Sequence, residues 1–236
     1  MDAFKKYVAE FLGTFTLVFI AAGAVCTDYY LRKSSGQGLG ILGISIAFGL
    51  ATTSVIYAIS YVSGAHINPA ITIAHWVTRR INPDTAIKYI LSQILGASLA
   101  GFALKILFPE ALYTVYLGTS TLGNEVSVLQ GIIMESIISF LLVLTFCGTV
   151  LDKRAYSGFA GLAIGLVVLF GVLIGGPISG GVMNPARSFG PALASGQFTH
   201  HYVWWIGPIA GSIIAAFLYD TILAEEEAKT VSTKKK

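Results

Sequence analysis

The sequence predicts an all-α membrane protein with six transmembrane helices, two re-entrant half-helices and an inverted internal repeat. Three observations predict it. Hydrophobic residues make up 55% of the 236-residue chain and charged residues only 11%, against roughly 25% charged in an average soluble domain. Six apolar runs of about 20 residues can be marked off, each long enough for a hydrocarbon core of ~30 Å. The octet SGAHINPA at 63–70 returns as SGGVMNPA at 179–186, so that 116 positions separate Asn68 from Asn184 (184 minus 68).

The first run, about 7–26, follows Lys5 and Lys6 and has the outline of a signal peptide. Glu10 lies inside it and no small-residue cleavage site follows, so it reads as a retained helix. The remaining runs fall at about 40–61, 86–107, 128–150, 158–176 and 202–223. VAEFLGTFTLVFI (8–20) opens the first half and IMESIISFLLVLTF (133–146) the second, each with a glutamate near its start, Glu10 and Glu135. Three spans per half is an odd number, which turns the second half upside down about an axis in the membrane plane. The chain therefore reads as one membrane domain, with repeat 1 at about 7–107, repeat 2 at about 128–223 and a flexible tail at 224–236. The small-xxx-small pairs Gly161/Gly165 and Gly207/Gly211 are expected where helices approach closely.

Charge placement sets the orientation. With a cytoplasmic N-terminus, the inner side receives Lys5, Lys6, Arg79, Arg80, Lys88, Lys153, Arg154, Lys229, Lys234, Lys235 and Lys236, eleven of the fifteen basic residues. The positive-inside rule then predicts both termini in the cytoplasm. A net charge of +3 is too small to imply nucleic acid. Cys26 and Cys147 sit in or beside apolar runs and read as buried small residues, with no disulfide framework or metal site. No hydrolase, redox or nucleotide motif is present, so neither an enzyme nor a cofactor is expected.

Each octet ends in the grammar of a helix start. Asn is a preferred N-cap and Pro is favoured at the first helical position. The apolar stretches that follow, AITIAHWV and ARSFGPAL, are too short to span, so each is expected to be a half-helix that begins near the bilayer midplane. Residues 63–78 would enter from the cytoplasm and 179–195 from outside. Non-helical backbone at that depth is tolerated only if it is buried in protein or lines a water-filled cavity, so Gly64, Ala65, His66 and Gly180, Gly181, Val182 are expected to turn carbonyls toward such a cavity. Two half-helix N-termini meeting there would each carry about half a positive charge and repel cations. The Asn amide hydrogens would face a small neutral acceptor. A given tripeptide recurs by chance about once in 10⁴ positions at ordinary residue frequencies, so a chance turn is a poor account of two copies in register.

The paired motifs Asn68, Pro69, Ala70 and Asn184, Pro185, Ala186, their contexts SGAHINPA and NPARSFGP, and the two glutamates resemble the aquaporin and glycerol-facilitator family over about residues 7–223. The resemblance implies one pore per subunit in a homotetramer, in the cell membrane, with water and small neutral solutes as permeants and the lipid bilayer as the other partner. It also implies that Glu10 and Glu135 brace the octet backbones rather than relay protons. Arg187 would form a filter at the outer mouth with Phe48, Val172 and Gly181. Strict water channels typically carry His where this chain has Val172; glycerol facilitators typically have Trp at the Phe48 position and Phe at the Gly181 position. The filter should therefore be wider and more apolar than in a strict water channel. Ser188, Ala192 and the pair Trp204/Trp205 resemble the water-channel subgroup, and the combination resembles the permissive archaeal-type members. Expected permeants are water and ammonia, urea, hydrogen peroxide or glycerol, with a glycerol-type facilitator as the alternative. A coupled transporter would want ion-coordinating groups at the midplane, where this chain has two Asn. His66 reads as a passive donor rather than a pH gate. His75, His200 and His201 are expected at the interface, and Trp76, Trp204, Trp205, Tyr29 and Tyr30 in the aromatic belts.

Overall fold

The computed structural model describes residues 3–156 and 158–224. Most of the expected tail, 225–236, lies outside the described residues. Six helices are long and apolar enough to cross a membrane. They are α1 (Ala3–Ser35), α2 (Gly40–Ser63), α4 (Pro83–Leu107), α6 (Val128–Phe146), α7 (Ala160–Ser179) and α9 (Val203–Leu218). Two shorter helices, α3 (Pro69–Val77) and α8 (Pro185–Ser195), start at the two Asn-Pro dipeptides, and a single turn, α5 (Ala111–Thr114), lies in the loop before α6. Helices α6 and α9 each continue into a π-helical turn, Cys147–Leu151 and Tyr219–Leu223.

The helix ends follow local chemistry. Asn82 begins α4, with Pro83 at the first position and its Oδ1 accepting from the Thr85 N–H at 2.8 Å. Ser127 and Gln130 close a capping box at the start of α6. Both α2 and α7 stop at a left-handed glycine, Gly64 (φ 88°) and Gly180 (φ 91°), the usual C-terminal brake because glycine lacks the Cβ penalty there. The largest departure from the sequence reading is α1, which runs nine residues beyond Cys26 to Ser35 and is about 50 Å long. Polar residues continue it: Asp28 pairs with Arg32 one turn on, and Tyr30 packs edge-to-face on Phe108.

Helix α1 packs on α2 and α4, α2 on α7, and α6 on α9 and α7. The half-helices join the two ends of this series, α3 packing against α9 and α4, and α8 against α4 and α1. Glycines permit the approach. A Cβ at Gly165 would fall 1.9 Å from Thr53 Oγ1, and one at Gly211 would fall 2.0 Å from the Ser136 carbonyl oxygen. The outer surface carries leucine and isoleucine, as a lipid-facing surface must, and the buried interior is rich in alanine, glycine and serine.

Candidate functional site

The two octets fold alike. Gly64, Ala65 and Ile67 have φ of 88°, 49° and 43°, and Gly180, Gly181 and Met183, each 116 positions later, have 91°, 61° and 54°. Left-handed backbone is unfavourable for a β-branched residue such as Ile67, so something must hold it. The holders are Glu10 and Glu135, both wholly buried. Glu10 Oε1 accepts from Ser63 Oγ at 2.6 Å and the His66 N–H at 2.9 Å; its Oε2 accepts from the Ile67 N–H at 2.6 Å and Gln93 Nε2 at 2.8 Å. Glu135 Oε1 accepts from Ser179 Oγ at 2.6 Å and the Val182 N–H at 2.9 Å, and its Oε2 from the Met183 N–H at 2.7 Å. Each carboxylate thus fixes a serine hydroxyl and two backbone amides of its own octet.

Each Asn then does two things. Asn68 Oδ1 caps α3 by accepting from the Ala70 N–H at 2.9 Å, and Asn184 Oδ1 caps α8 by accepting from the N–H groups of Ala186 at 3.0 Å and Arg187 at 3.3 Å. The side-chain amide of Asn68 donates across the centre to the Met183 carbonyl at 2.8 Å, and that of Asn184 donates to the Ile67 carbonyl at 2.8 Å. The sequence reading left both amide hydrogens of each Asn for a permeant. One of each pair instead ties the half-helices head to head, and one remains. Pro69, Ala70, Pro185 and Ala186 form the buried first turns behind this junction.

A cavity of about 30 Å³ runs past the junction, enough to hold water. Phe48, Ala65, His66, Asn68, Val182, Asn184 and Arg187 border it, together with aliphatic residues such as Ile56, Ile71 and Val168. Gly64, Val172, Gly180 and Gly181 do not border it. Val172 is buried, and a Cβ on Gly181 would fall 2.7 Å from the Val172 Cα and 2.8 Å from the Gly171 carbonyl oxygen. The space that the sequence reading assigned to the missing Gly181 side chain is therefore occupied by the backbone of α7.

Arg187 is 4% exposed, with its guanidinium carbon 4.9 Å from the centroid of the Phe48 ring. Its Nη1 donates to Ser120 Oγ at 2.6 Å, while its Nε has no partner among the described residues. Ser120 comes from the loop before α6, and no sequence feature singled it out. Gln93 and Tyr89 were missed as well. Tyr89 donates to the Ser63 carbonyl at 2.8 Å, and Gln93 Nε2 bridges Glu10 and Thr72 Oγ1. The available signal for Gln93 is that it is the one side-chain amide within α4, in the middle of its apolar run.

Two aromatic expectations need correction. His75 is not interfacial; it is 3% exposed and lies 4.6 Å from the His66 ring, centroid to centroid, with Phe146 edge-on at 5.1 Å. Its Nδ1 donates to the Ile71 carbonyl at 2.9 Å. Trp204 is not in a belt; it is 1% exposed and its indole N–H donates to the Ser179 carbonyl at 2.8 Å. In both cases helix–helix packing encloses a side chain that composition alone would put at the membrane surface. Both cysteines are buried and free, and among the described residues no metal-binding cluster occurs.

The family model described as major intrinsic protein matches residues 1–219. Aquaporin NIP1-1 of Zea mays is 39% identical over 218 residues, covering 92% of this chain and 74% of that protein. Nodulin-26 of Glycine max is 36% identical over 98% of this chain and 82% of its own length, and aquaporin A of Dictyostelium discoideum is 37% identical over 95% and 81%. The crystal structure of an aquaglyceroporin from Plasmodium falciparum superposes with a TM-score of 0.82 at 23% identity, over 94% of this chain and 97% of that one. These relatives lend no support to the archaeal-type expectation, which rests on the filter positions combined with Ser188, Ala192, Trp204 and Trp205 rather than on the whole chain.

Proposed function

The chain belongs to the major intrinsic protein family, and from that premise we propose that it is a passive pore for water and small neutral solutes that excludes protons and ions. It is an aquaporin-type membrane channel and not an enzyme. The observation that carries the solute reading is the reciprocal tie between Asn68 and Asn184 at a cavity about 30 Å³ in volume. It sets two helix N-termini against each other, and their partial positive charges repel a cation. A neutral molecule loses nothing to that field and gains one amide hydrogen from each Asn. Arg187 adds a full positive charge where Phe48 narrows the path, a second barrier of the kind that rejects cations in selective pores. Glu10 and Glu135 act as braces for the octets, because each accepts from a serine hydroxyl and two backbone N–H groups of its own octet.

By the family resemblance Val172 stands where strict water channels carry a histidine, and the lack of that polar ring is what keeps the glycerol-type facilitator as the second reading, although Val172 itself stays behind the cavity lining. Ammonia, urea, hydrogen peroxide and glycerol are the candidates. The positive-inside bias supports cytoplasmic termini in the cell membrane, and the exposed aliphatic faces on every span leave area for both lipid and a homotetramer. Purified protein in liposomes, assayed by stopped-flow light scattering with water, glycerol, urea and ammonia and by a pH-sensitive dye, tests the proposal. Water flux of low activation energy, independent of Na⁺ or H⁺ gradients and without proton leak, is the expected result. Flux that requires either gradient would replace the channel with a coupled carrier.

A further inference from the structure

Away from the channel, a surface cavity of about 350 Å³ opens where α3 ends and α4 begins, lined by Trp76, Arg79, Arg80, Ile81, Asn82 and Pro83. We infer that this cavity seats the phosphate of an anionic glycerophospholipid from the leaflet on the N-terminal side of the membrane. Its volume falls in the range of small-ligand sites, and its chemistry suits an anion. Arg80 is fixed, pairing with Asp220 and donating to Thr78 Oγ1 at 3.1 Å. Arg79 is exposed, with no ion-pair partner among the described residues, and stands in a left-handed conformation at φ 61°. That strained turn brings two adjacent arginines to one opening. Asn82 Oδ1 is occupied by the Thr85 N–H, so only its amide hydrogens are left for a ligand. The nearest carboxylate in sequence, Asp84, is neutralised by Lys88 one turn along α4.

The surroundings select a lipid over a free phosphate. Trp76 is exposed at the rim, as an interfacial tryptophan would be. From Pro83 a row of exposed side chains descends α4 at four-residue steps through Ile87, Leu91, Leu95 and Leu99. Residues at that spacing share a helix face, so an acyl chain leaving a headgroup in the cavity would lie along an unbroken aliphatic track. Basic pockets between membrane helices on the cytoplasmic side commonly hold acidic headgroups.

Native mass spectrometry of the intact, delipidated protein, titrated with phosphatidylglycerol, phosphatidylcholine or glycerol 3-phosphate, tests the site. Phosphatidylglycerol should bind more tightly than phosphatidylcholine, and glycerol 3-phosphate should fail to displace it at comparable concentration. Arg79→Gln should weaken phosphatidylglycerol binding about fivefold, the share of one arginine near an anionic surface, while Arg154→Gln leaves it unchanged. Water flux equal to the parent's verifies folding of each variant, and Arg79→Lys, which keeps the charge, should retain binding if Arg79→Gln fails that check. Equal binding of the two lipids, an unaffected Arg79→Gln, lost binding in a folded Arg79→Lys, or displacement by glycerol 3-phosphate would each overturn the inference.

Discussion

Single residues decide what the outer mouth admits. Among the described residues the guanidinium of Arg187 has one hydrogen bond to another side chain, the one to Ser120 Oγ, and a hydrogen bond to a charged group contributes ~1.5–3 kcal/mol. Ser120→Ala should free the guanidinium to move, raising urea permeability in liposomes while leaving water flux near the parent's. Unchanged urea flux would mean that the Phe48 ring alone holds Arg187. Val172→His tests whether α7 can narrow the path from behind the cavity lining, since Val172 itself is buried and does not border the cavity. A longer, polar ring would be added beside a Gly181 that cannot yield, since α7 backbone already occupies its Cβ direction. Water permeability should persist and glycerol and urea flux should fall by most of their value; a variant that passes them equally well would place the width of the pore elsewhere. Arg187 stood out in the sequence because an arginine one turn into a half-helix has few places to go. Ser120 did not, because a loop serine carries no signal until the chain is folded around it. His75 and Trp204 misled for a related reason: their chemistry suits an interface, and only the packing of α3 and α9 encloses them.

Among the elements, the octets depend on a partner distant in sequence. Among the described residues Glu135 has three hydrogen-bond partners, all donors, from Ser179, Val182 and Met183. In Glu135→Gln an amide NH₂ would face one or more of these donors, losing at least one charge-assisted bond worth ~1.5–3 kcal/mol and releasing the left-handed Met183. The thermal midpoint in detergent should drop for Glu135→Gln and stay unchanged for the exposed Glu125→Gln. The half-helices themselves were legible because the Asn-Pro start is a local signal, and so were the spans. The far end of α1 was not, because its last turns are continued by an ion pair and a ring contact rather than by hydrophobicity. The segment after α6 is tied down electrostatically. The carboxyl of Asp152 is held well below the usual carboxylate range, first by the hydrogen bond from the Arg154 side chain and then by that from the Tyr219 hydroxyl. A depressed carboxylate stabilises the fold above its unfolded-state pKa of about 3.9 and loses that contribution only as pH falls through the folded-state value. The Asp152 carboxylate also accepts from the Arg154 backbone N–H at 2.8 Å, so hydrogen exchange at that amide, corrected for intrinsic rate, should show the same protection from about pH 8 to about pH 5, a window that lies above the ordinary carboxylate pKa. Asp152→Asn should lose that protection at every pH in the window.

For the whole molecule, the two halves meet in mutual need at the midplane. The Asn68 amide reaches Met183 and the Asn184 amide reaches Ile67, whereas the hydrogen bonds of each carboxylate stay within its own half of the chain. A chain cut in the exposed turn at Asn124–Glu125 should therefore give two pieces that reassemble: co-expressed, they should restore water flux in liposomes, while either piece alone should give none. Flux from one piece would refute the dependence. The consequence reaches back to synthesis. When the ribosome has delivered only the first half, that half can already close its carboxylate brace, yet the Asn68 amide and the Ile67 carbonyl stay unmatched in hydrocarbon, where each such group costs several kcal/mol. A nascent chain in that state is marked as unfinished at its most buried point, and the arrival of Met183 and Asn184 removes the mark.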